Sequence, residues 1–279
     1  MKKKEKRTKG KFWAYFLGYS LAIIMTIPLL WMIISSFKAP GSTVTVLKEL
    51  FAPPYTLESF KKVLEPGESA MMVRWTFNSV YIGIVQTSVT VLLSSWAAYA
   101  VSRIPFKGKK IVFVLILAGL MVPMESIVVP LFNMIVDLGW VNSYKALIWP
   151  GMMLPLAFLI LKQFIDGIPT ELFEAAKIDG AGIFTIWWKI VVPLSKSSMA
   201  AVSIFIFVQS WNNLLWPLLV AQETKMMTLP VGIPTFQSIF ATDLAVPMAS
   251  NVLASIPALL VFLLFQRHII KGISMTGIK

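Results

Sequence analysis

The residues best able to form a specific chemical contact lie in one short polar stretch, Glu174-Ala175-Ala176-Lys177-Ile178-Asp179-Gly180. The sequence on both sides of it is strongly apolar. Glu174 can offer its carboxylate to a basic residue of another protein. The small side chains of Ala175 and Ala176 let a second surface approach the backbone closely. This chemistry is that of protein docking rather than of catalysis.

A short helix must position these residues, and its signals are local in the sequence. We predict that the helix runs from about Glu171 to Ile178. Thr170 follows Pro169 and is expected to be the N-cap, while Glu171 would lie in the positively polarised first turn. Gly180 can adopt the left-handed conformation that ends a helix.

The same stretch could instead lie on a lipid surface, with Glu174 paired only to Lys177 one turn away. A helix of that kind usually carries Lys and Arg on its polar face. This one carries Glu171, Glu174 and Asp179 against a single lysine, and an anionic leaflet would repel such a face. A protein partner is therefore the better interpretation.

The sequence gives little support to other chemistry. The chain has no cysteine, so a disulfide, a thiolate metal site and a thiol nucleophile are all excluded. Its one histidine, His268, stands at the end of the last apolar run and is expected to be interfacial. Gly108-Lys109-Lys110 lacks the upstream glycine and the following Ser or Thr of a phosphate-binding loop. We therefore predict that the chain is not an enzyme and binds no metal.

The composition places these residues in a membrane protein. Of the 279 residues, 57% are hydrophobic and 14% are charged, whereas soluble domains carry about 25% charged residues. The apolar runs are long and continuous, which favours helices over the alternating strands of a barrel. The fourth run should be bent, because it contains Pro150 and Pro155. We predict an all-α polytopic membrane protein with six transmembrane helices, at about Phe12–Phe37, Trp75–Val101, Ile111–Phe132, Ala146–Leu161, Met199–Val220 and Met248–Gln266.

The basic residues predict the orientation of these spans. Most of the 25 Lys and Arg residues fall at the N-terminus or in segments on the same side of the membrane. The positive-inside rule then places both termini and the polar stretch in the cytosol. The net charge of +12 is thus a topology signal and not a sign of nucleic-acid binding. The expected organisation is a basic cytosolic tail (1–11), a first span (12–37), an extracytoplasmic loop (38–74) with a short helix near Leu57–Leu64, a core (75–270) containing the cytosolic loop 163–196, and a cytosolic tail (271–279).

The polar stretch belongs to a longer pattern. Nine residues separate Gly180 from the run Ile190-Val191-Val192-Pro193. The whole resembles the E-A-A-x3-G-x9-I-x-L-P loop of ABC importer permeases, on which a cytosolic ATPase docks, although Val192 stands where leucine is usual. The resemblance implies ATPase-coupling residues at Glu171, Glu174, Ala175, Ala176, Asp179, Gly180, Ile190 and Pro193.

From about Asn78 onward the chain resembles the carbohydrate-uptake, maltose-type branch of these permeases. The similarity is carried by Asn78-Ser79, the run from Ala97 to Arg103, Trp211-Asn212 and Thr228-Leu229-Pro230. It implies a type I ABC importer permease fold in the cytoplasmic membrane of a prokaryote, and sugar import by alternating access. The partners it implies are a second homologous permease, a cytosolic ATPase dimer, an extracytoplasmic solute-binding protein and membrane lipid, with no nucleic acid. The chain itself would bind no cofactor, and ATP and Mg would be held by the ATPase.

Polar residues within the predicted spans are candidates for the translocation pathway. Three amides and an indole in the fifth span fall at spacings of three or four residues, so they would share one helix face. Amides can bond sugar hydroxyls, and an indole offers a flat apolar surface. The alternatives are interhelical hydrogen bonds or, for the acidic residue between two prolines of the third span, a hydrated position near the outer surface. The candidates are Gln209, Asn212, Asn213, Trp216, Glu125 and Asn251.

Other functions stay open at this point. A secondary transporter or channel acting alone would need intramembrane charge or inverted repeats, and only Glu125 offers the former. A membrane-embedded enzyme would need a nucleophile or metal-ligand cluster that the sequence does not contain. Within the importer hypothesis, the cargo could also be a polyol or a glycerol phosphodiester. The six apolar runs contain no Lys or Arg, which favours a neutral sugar over a cargo that bears phosphate.

Overall fold

The computed structural model describes residues 2–42, 47–65, 71–240 and 243–276. For residues 2–12 and 264–276, and for a few single positions elsewhere, only the backbone is described. The expectations for the basic side chains of residues 1–11, for the side chain of His268 and for most of the tail 271–279 therefore fall outside the described side chains.

Throughout the described residues, every regular element is a helix. This confirms the predicted all-α class. The helices are α1 (Lys2–Ser36), α2 (Leu47–Phe51), α3 (Glu58–Leu64), α4 (Met71–Arg103), α5 (Lys109–Leu120), α6 (Met124–Asp137), α7 (Tyr144–Ile148), a 3₁₀ turn (Trp149–Gly151), α8 (Pro155–Asp166), α9 (Thr170–Ile178), α10 (Ile183–Ile186), a π-helical turn (Trp187–Val191), α11 (Val192–Trp211), α12 (Leu215–Val220), a 3₁₀ turn (Thr224–Met226), α13 (Leu229–Ile239) and α14 (Ala245–Thr276).

Four described segments are long and apolar enough to cross a membrane, namely Tyr15–Ser36, Met71–Arg103, Ile183–Trp211 and Ala245–Leu263. Two further pairs of helices pass the same test together, although each pair is bent at a short break. The bend is 99° between α5 and α6, and 45° between α7 with its 3₁₀ turn and α8. The described residues therefore contain between four and six spans, and the predicted six requires each bent pair to cross once.

The predicted third span, Ile111–Phe132, is broken into two helices in the structure. The helix stops at Leu120, and Pro123 begins the next one in an extended conformation, with φ −67° and ψ 138°. A proline disfavours helical geometry in the residue before it and supplies no N–H, so a break here is expected on steric grounds. The bend predicted for the fourth span from Pro150 and Pro155 is confirmed.

The fifth span begins well before the predicted Met199. A continuous helical segment runs from Ile183 to Trp211, so the predicted loop 163–196 is largely helical. Within the segment, the Val192 N–H bonds the carbonyl of Trp187, five residues back, which widens one turn. Pro193 follows this turn. Proline lacks an N–H and crowds the carbonyl four residues before it, and a wider turn relieves that crowding.

The chain forms two compact units, one of Met1–Met72 with Ile233–Ser255 and one of Val73–Gly232 with Ile256–Lys279. The second unit has two apolar cores. In the first core α8 packs against α11 and α5, and its fully buried members include Ala98, Leu161 and Val191.

The other core of this unit joins α6, α7 and α12. Ile135, Ala146 and Val220 lie at its centre with 1% or less of their surface exposed. Apolar burial of this kind fixes the positions of the polar residues that border each core.

The first unit contains an ordered segment after α1, where the sequence predicted a loop. The buried Lys38 ammonium bonds the carbonyl of Ala52 and lies 4.3 Å from the centroid of the Tyr55 ring. Ser59 Oγ donates to the Lys38 carbonyl at 2.8 Å. The short helix predicted near Leu57–Leu64 is confirmed as α3, Glu58–Leu64.

Candidate functional site

Helix α9 carries the predicted docking residues. It spans Thr170–Ile178, one residue longer at its start than the predicted Glu171–Ile178. The expectation that Thr170 caps this helix was wrong. Pro169 occupies the N-cap position in an extended conformation, and Thr170 is the first helical residue. The hydroxyl of Thr170 instead accepts a hydrogen bond from Nη1 of Arg103 at 3.1 Å.

Helix α9 ends at a glycine in the left-handed conformation, which is called the left-handed stop below. Gly180 has φ +77°, as predicted. Its N–H donates to the Lys177 carbonyl at 3.0 Å, and the Ala181 N–H donates to the Ala176 carbonyl at 2.9 Å. This pair of bonds is the Schellman motif, which satisfies carbonyls that would otherwise lack partners at a helix end.

One face of α9 is anchored to the end of α4. Phe173 is 3% exposed, and its ring stacks on Tyr99 with centroids 6.2 Å apart and an angle of 19° between planes. The Arg103 guanidinium lies 4.6 Å from the centroid of the Phe173 ring. Stacked aromatic pairs and cation–π contacts add to the energy of area burial, so α9 is held by more than its connections along the chain.

The opposite face of α9 is open. Glu171, Glu174 and Ala175 are exposed, and so are apolar Leu172 at 44% and Ile178 at 87%. Apolar residues exposed beside carboxylates and small side chains form a surface suited to a protein partner.

Glu174 and Lys177 do not form the alternative salt bridge with each other. Among the described residues, the salt bridge within 4.0 Å joins Lys162 and Asp166 instead, at 2.6 Å. The Glu174 carboxylate and the Lys177 ammonium, both on exposed residues, are therefore available to a partner of opposite charge.

Two arms flank Gly180, namely α9 before it and residues 183–190 after it. The second arm is also fixed to α4. The Trp187 indole donates to Ser95 Oγ at 3.1 Å. Trp96 meets the Trp187 ring edge-on at 4.9 Å and the Phe184 ring at 5.6 Å. Ile190, one of the predicted coupling residues, is half-buried and packs against the same core.

Thus the two arms on either side of Gly180 rest on a single helix. Ser95, Tyr99 and Arg103 follow one another at intervals of four residues, so they lie on one face of α4. From the sequence, Arg103 was noted only as the end of the run Ala97–Arg103, although its four-residue spacing from Tyr99 and Ser95 was visible there. Of the other predicted coupling residues, Asp179 and Pro193 are exposed and Ala176 is half-buried.

The expected polar face of the fifth span does not form. The helix ends at Trp211 and restarts at Leu215, so the predicted residues are not on one continuous helix. The Asn212 amide donates to the Val208 carbonyl at 3.0 Å, and Asn213 Oδ1 accepts from the Trp216 N–H at 3.4 Å. Asn side chains that bond nearby backbone compete with helix continuation, which accounts for the break.

Trp216 takes a different position from the three amides. It is 5% exposed, and its indole donates to the Ala146 carbonyl at 2.8 Å within the core of α6, α7 and α12. Gln209, Asn212 and Asn213 are exposed. The role of these amides in translocation stays a prediction.

The two remaining candidates occupy helix positions that differ from each other. Glu125 is exposed in the first turn of α6, just after the 99° bend, and is not in the middle of a continuous span. A carboxylate there is favoured by the positive end of the helix. Asn251 is half-buried in α14, and its Oδ1 accepts from Gln237 Nε2 at 3.2 Å. In the described part of the chain, no three His, Asp or Glu side chains converge as metal ligands.

Known proteins resemble this chain along most of its length. The family described as binding-protein-dependent transport system inner membrane component matches residues 90–275. The arabinooligosaccharides transport system permease protein of Halalkalibacterium halodurans is 35% identical over 268 residues, 96% of this chain and 96% of that protein. The trehalose/maltose transport system permease protein of Thermococcus litoralis is 35% identical over 269 residues, 93% of each chain.

A solved structure gives the same result for the fold. A chain of a bacterial ABC transporter involved in the import of the acidic polysaccharide alginate matches with a TM-score of 0.79. The match covers 94% of this chain and 96% of that one at 20% identity. The predicted fold class, that of an ABC importer permease, is confirmed.

Proposed function

The chain belongs to the binding-protein-dependent transport system inner membrane component family. We propose that it imports a sugar or oligosaccharide, driven by a separate ATPase that binds α9. Membership makes it a permease component of an ABC importer. The observation that carries the coupling role is the two-sided character of α9. Phe173 anchors one face while Glu174, Ala175 and Ile178 are open on the other.

The mechanism that this geometry supports is mechanical. Closure of the ATPase dimer would move α9, and the contacts of Phe173 and Trp187 with α4 would carry the displacement into the spans. Both arms rest on one face of α4, so the polar stretch should move as a body rather than flex. Alternating access of the pathway follows from the shift of those spans.

The proposed cargo is a neutral sugar or oligosaccharide. The related permeases named above serve arabinooligosaccharides and trehalose or maltose, and a third, from Rhizobium radiobacter, serves lactose at 34% identity. The six apolar runs of this chain contain no Lys or Arg, which suits an uncharged solute. The exposed amides of Gln209, Asn212 and Asn213 would bond hydroxyls, with Asn251 and Glu125 as further candidates.

The other subunits of the importer would be separate proteins. We expect a second homologous permease, a solute-binding protein outside the membrane, and an ATPase dimer that holds ATP and Mg in the cytosol. The surplus of basic residues in the segments on the α9 side supports a cytosolic position for both termini and for α9.

Because the sequence has no cysteine, single cysteines can test the contact directly. Ala175→Cys, in the assembled importer purified with its ATPase, should form a cross-link to the ATPase subunit. Lys145→Cys is the matched control, since Lys145 is also exposed but should lie on the outer side. Equal cross-linking from both positions, or none from Ala175→Cys, would contradict the proposal.

Transport provides the second test. Vesicles containing the importer and the binding protein should take up labelled oligosaccharide only when ATP is present on the side of the membrane where the ATPase lies. Gly180→Pro should abolish that uptake, because proline cannot adopt φ +77° and removes the N–H bonded to Lys177. Uptake driven by an ion gradient without ATP would instead indicate a secondary transporter.

A further inference from the structure

We propose that Arg103 is a positioning residue that sets the angle between α8 and α9 and thereby determines how much of the motion of α9 reaches the spans. This inference rests on the proposed coupling role of α9. It assigns to one side chain at the end of α4 the task of making the elbow between α8 and α9 rigid. The elbow consists of Gly167-Ile168-Pro169, between the last residue of α8 and the first of α9.

The contacts of Arg103 bracket this elbow on both sides. Nη2 donates to the carbonyls of Ile165 at 2.9 Å and Asp166 at 3.0 Å, and to the carbonyl of Ile168 within the elbow. Nη1 donates to the Thr170 hydroxyl in the first turn of α9 at 3.1 Å. One guanidinium therefore contacts the end of α8, the elbow and the start of α9.

Arginine is suited to this position for electrostatic and geometric reasons. The last carbonyls of a helix lack partners within the helix and carry the negative end of its dipole, so a cation is stabilised there. A planar guanidinium presents donors in a fixed fork and can bond several acceptors at once. Lysine offers the same charge as a compact point and cannot reproduce the fork.

The backbone alone does not make the elbow rigid. Gly167 and Ile168 donate to carbonyls of α8, at 3.1 and 3.2 Å. Pro169 has no N–H, so it cannot donate to a carbonyl of α8 as Gly167 and Ile168 do. Rotation of α9 about this point is then opposed by the packing of Phe173 and by the bonds of Arg103. The guanidinium also covers the Phe173 ring at 4.6 Å, which joins the two restraints.

The test compares Arg103→Ala and Arg103→Lys with Lys107→Ala in the assembled importer. Lys107 is exposed in the connection that follows α4, so its loss removes the same charge from the same region. The quantities to measure are the yield of the complex with its ATPase, the rate of ATP hydrolysis, and the amount of solute transported per ATP.

We expect Arg103→Ala to retain its ATPase and hydrolyse ATP while transport per ATP falls by at least about tenfold. Loss of a single charge-assisted hydrogen bond corresponds to about that factor, and this variant loses all four bonds of the guanidinium. Arg103→Lys should fall in the same direction, because the charge remains but the fork is lost. Lys107→Ala should match the unmodified chain. A residue needed only for folding would lower yield, hydrolysis and transport together and leave the ratio unchanged.

An unchanged ratio in Arg103→Ala would overturn the inference. If Arg103→Ala does not accumulate, Thr170→Val serves as the second variant, because it removes one acceptor at the surface. We expect it to lower transport per ATP by a smaller factor, and an unchanged value would contradict the inference. Failure of the Ala175→Cys variant, with Arg103 intact, to cross-link to the ATPase would instead refute the proposed function. The two failures are therefore distinguishable.

Discussion

The left-handed stop after α9 can be tested with two glycines in one loop. Gly180 has φ +77°, whereas Gly182 has φ −71° and ψ 164°. An added Cβ would have no heavy atom within 4 Å at either position. Substitution by alanine therefore probes backbone strain at Gly180 and nothing comparable at Gly182. The two residues are also both exposed.

The size of the effect follows from the backbone conformation. An L-residue in the left-handed helical region costs about 1–2 kcal/mol relative to glycine. That strain shifts the equilibrium between the stopped and the frayed end of α9 by about five- to thirtyfold. The same substitution at Gly182 is compatible with its extended backbone and should be neutral or stabilise the loop by about 0.4–1 kcal/mol.

The readout is the affinity of the ATPase for the permease complex in lipid nanodiscs, with thermal unfolding measured in parallel. Gly180→Ala should weaken docking by no more than about thirtyfold, since the strain sets the upper limit. Gly180→Asn should recover part of the loss, because asparagine tolerates the left-handed region better than alanine does. Gly182→Ala should bind as the unmodified chain does. Equal affinities for the two alanine variants would refute the role assigned to the stop.

Three other predictions concern the anchor and the pathway. Phe173→Ala should destabilise the assembled permease by about 3–5 kcal/mol, seen in thermal unfolding, while Phe184→Ala at a 62% exposed position should cost far less. Trp216→Phe should cost about 1–3 kcal/mol by leaving the carbonyl of Ala146 without a donor, yet leave the KM for uptake unchanged, because this indole is buried. Gln209→Ala should raise the KM with little change in unfolding temperature, and an unchanged KM would remove this residue from the pathway.

Local signals explain what the sequence could predict about the site. The bounds of α9 depend on residues within one turn of each end, and Gly180 needs only its own conformational freedom to stop the helix. The bend in the fourth span likewise follows from Pro150 and Pro155. Where the signal was a general preference rather than a bond, the prediction was less accurate. Thr170 is a good N-cap residue, but Pro169 already supplies the extended residue that precedes the helix.

The break after Trp211 shows a second reason for failure. The apolar pattern continues on both sides of Asn212 and Asn213, so hydropathy alone predicts one helix. The amides terminate it by bonding the backbone of their own neighbours, an option that competes with helix continuation. Pro217 then fits the new helix near its start, where its missing N–H is tolerated.

The attachment of α9 to α4 depends on contacts between residues far apart in the chain. Arg103 and Thr170 are 67 positions apart, and Trp187 and Ser95 are 92 apart. Spacing within α4 indicates that Ser95 and Arg103 share a face, but not which helix meets that face. Those contacts decide whether a force applied at the open side of α9 bends the loop or moves the second span. Because both arms rest on the same face, displacement of one arm must displace α4 or break aromatic and charged contacts on the other. We therefore expect a force on α9 to move the spans rather than bend the loop.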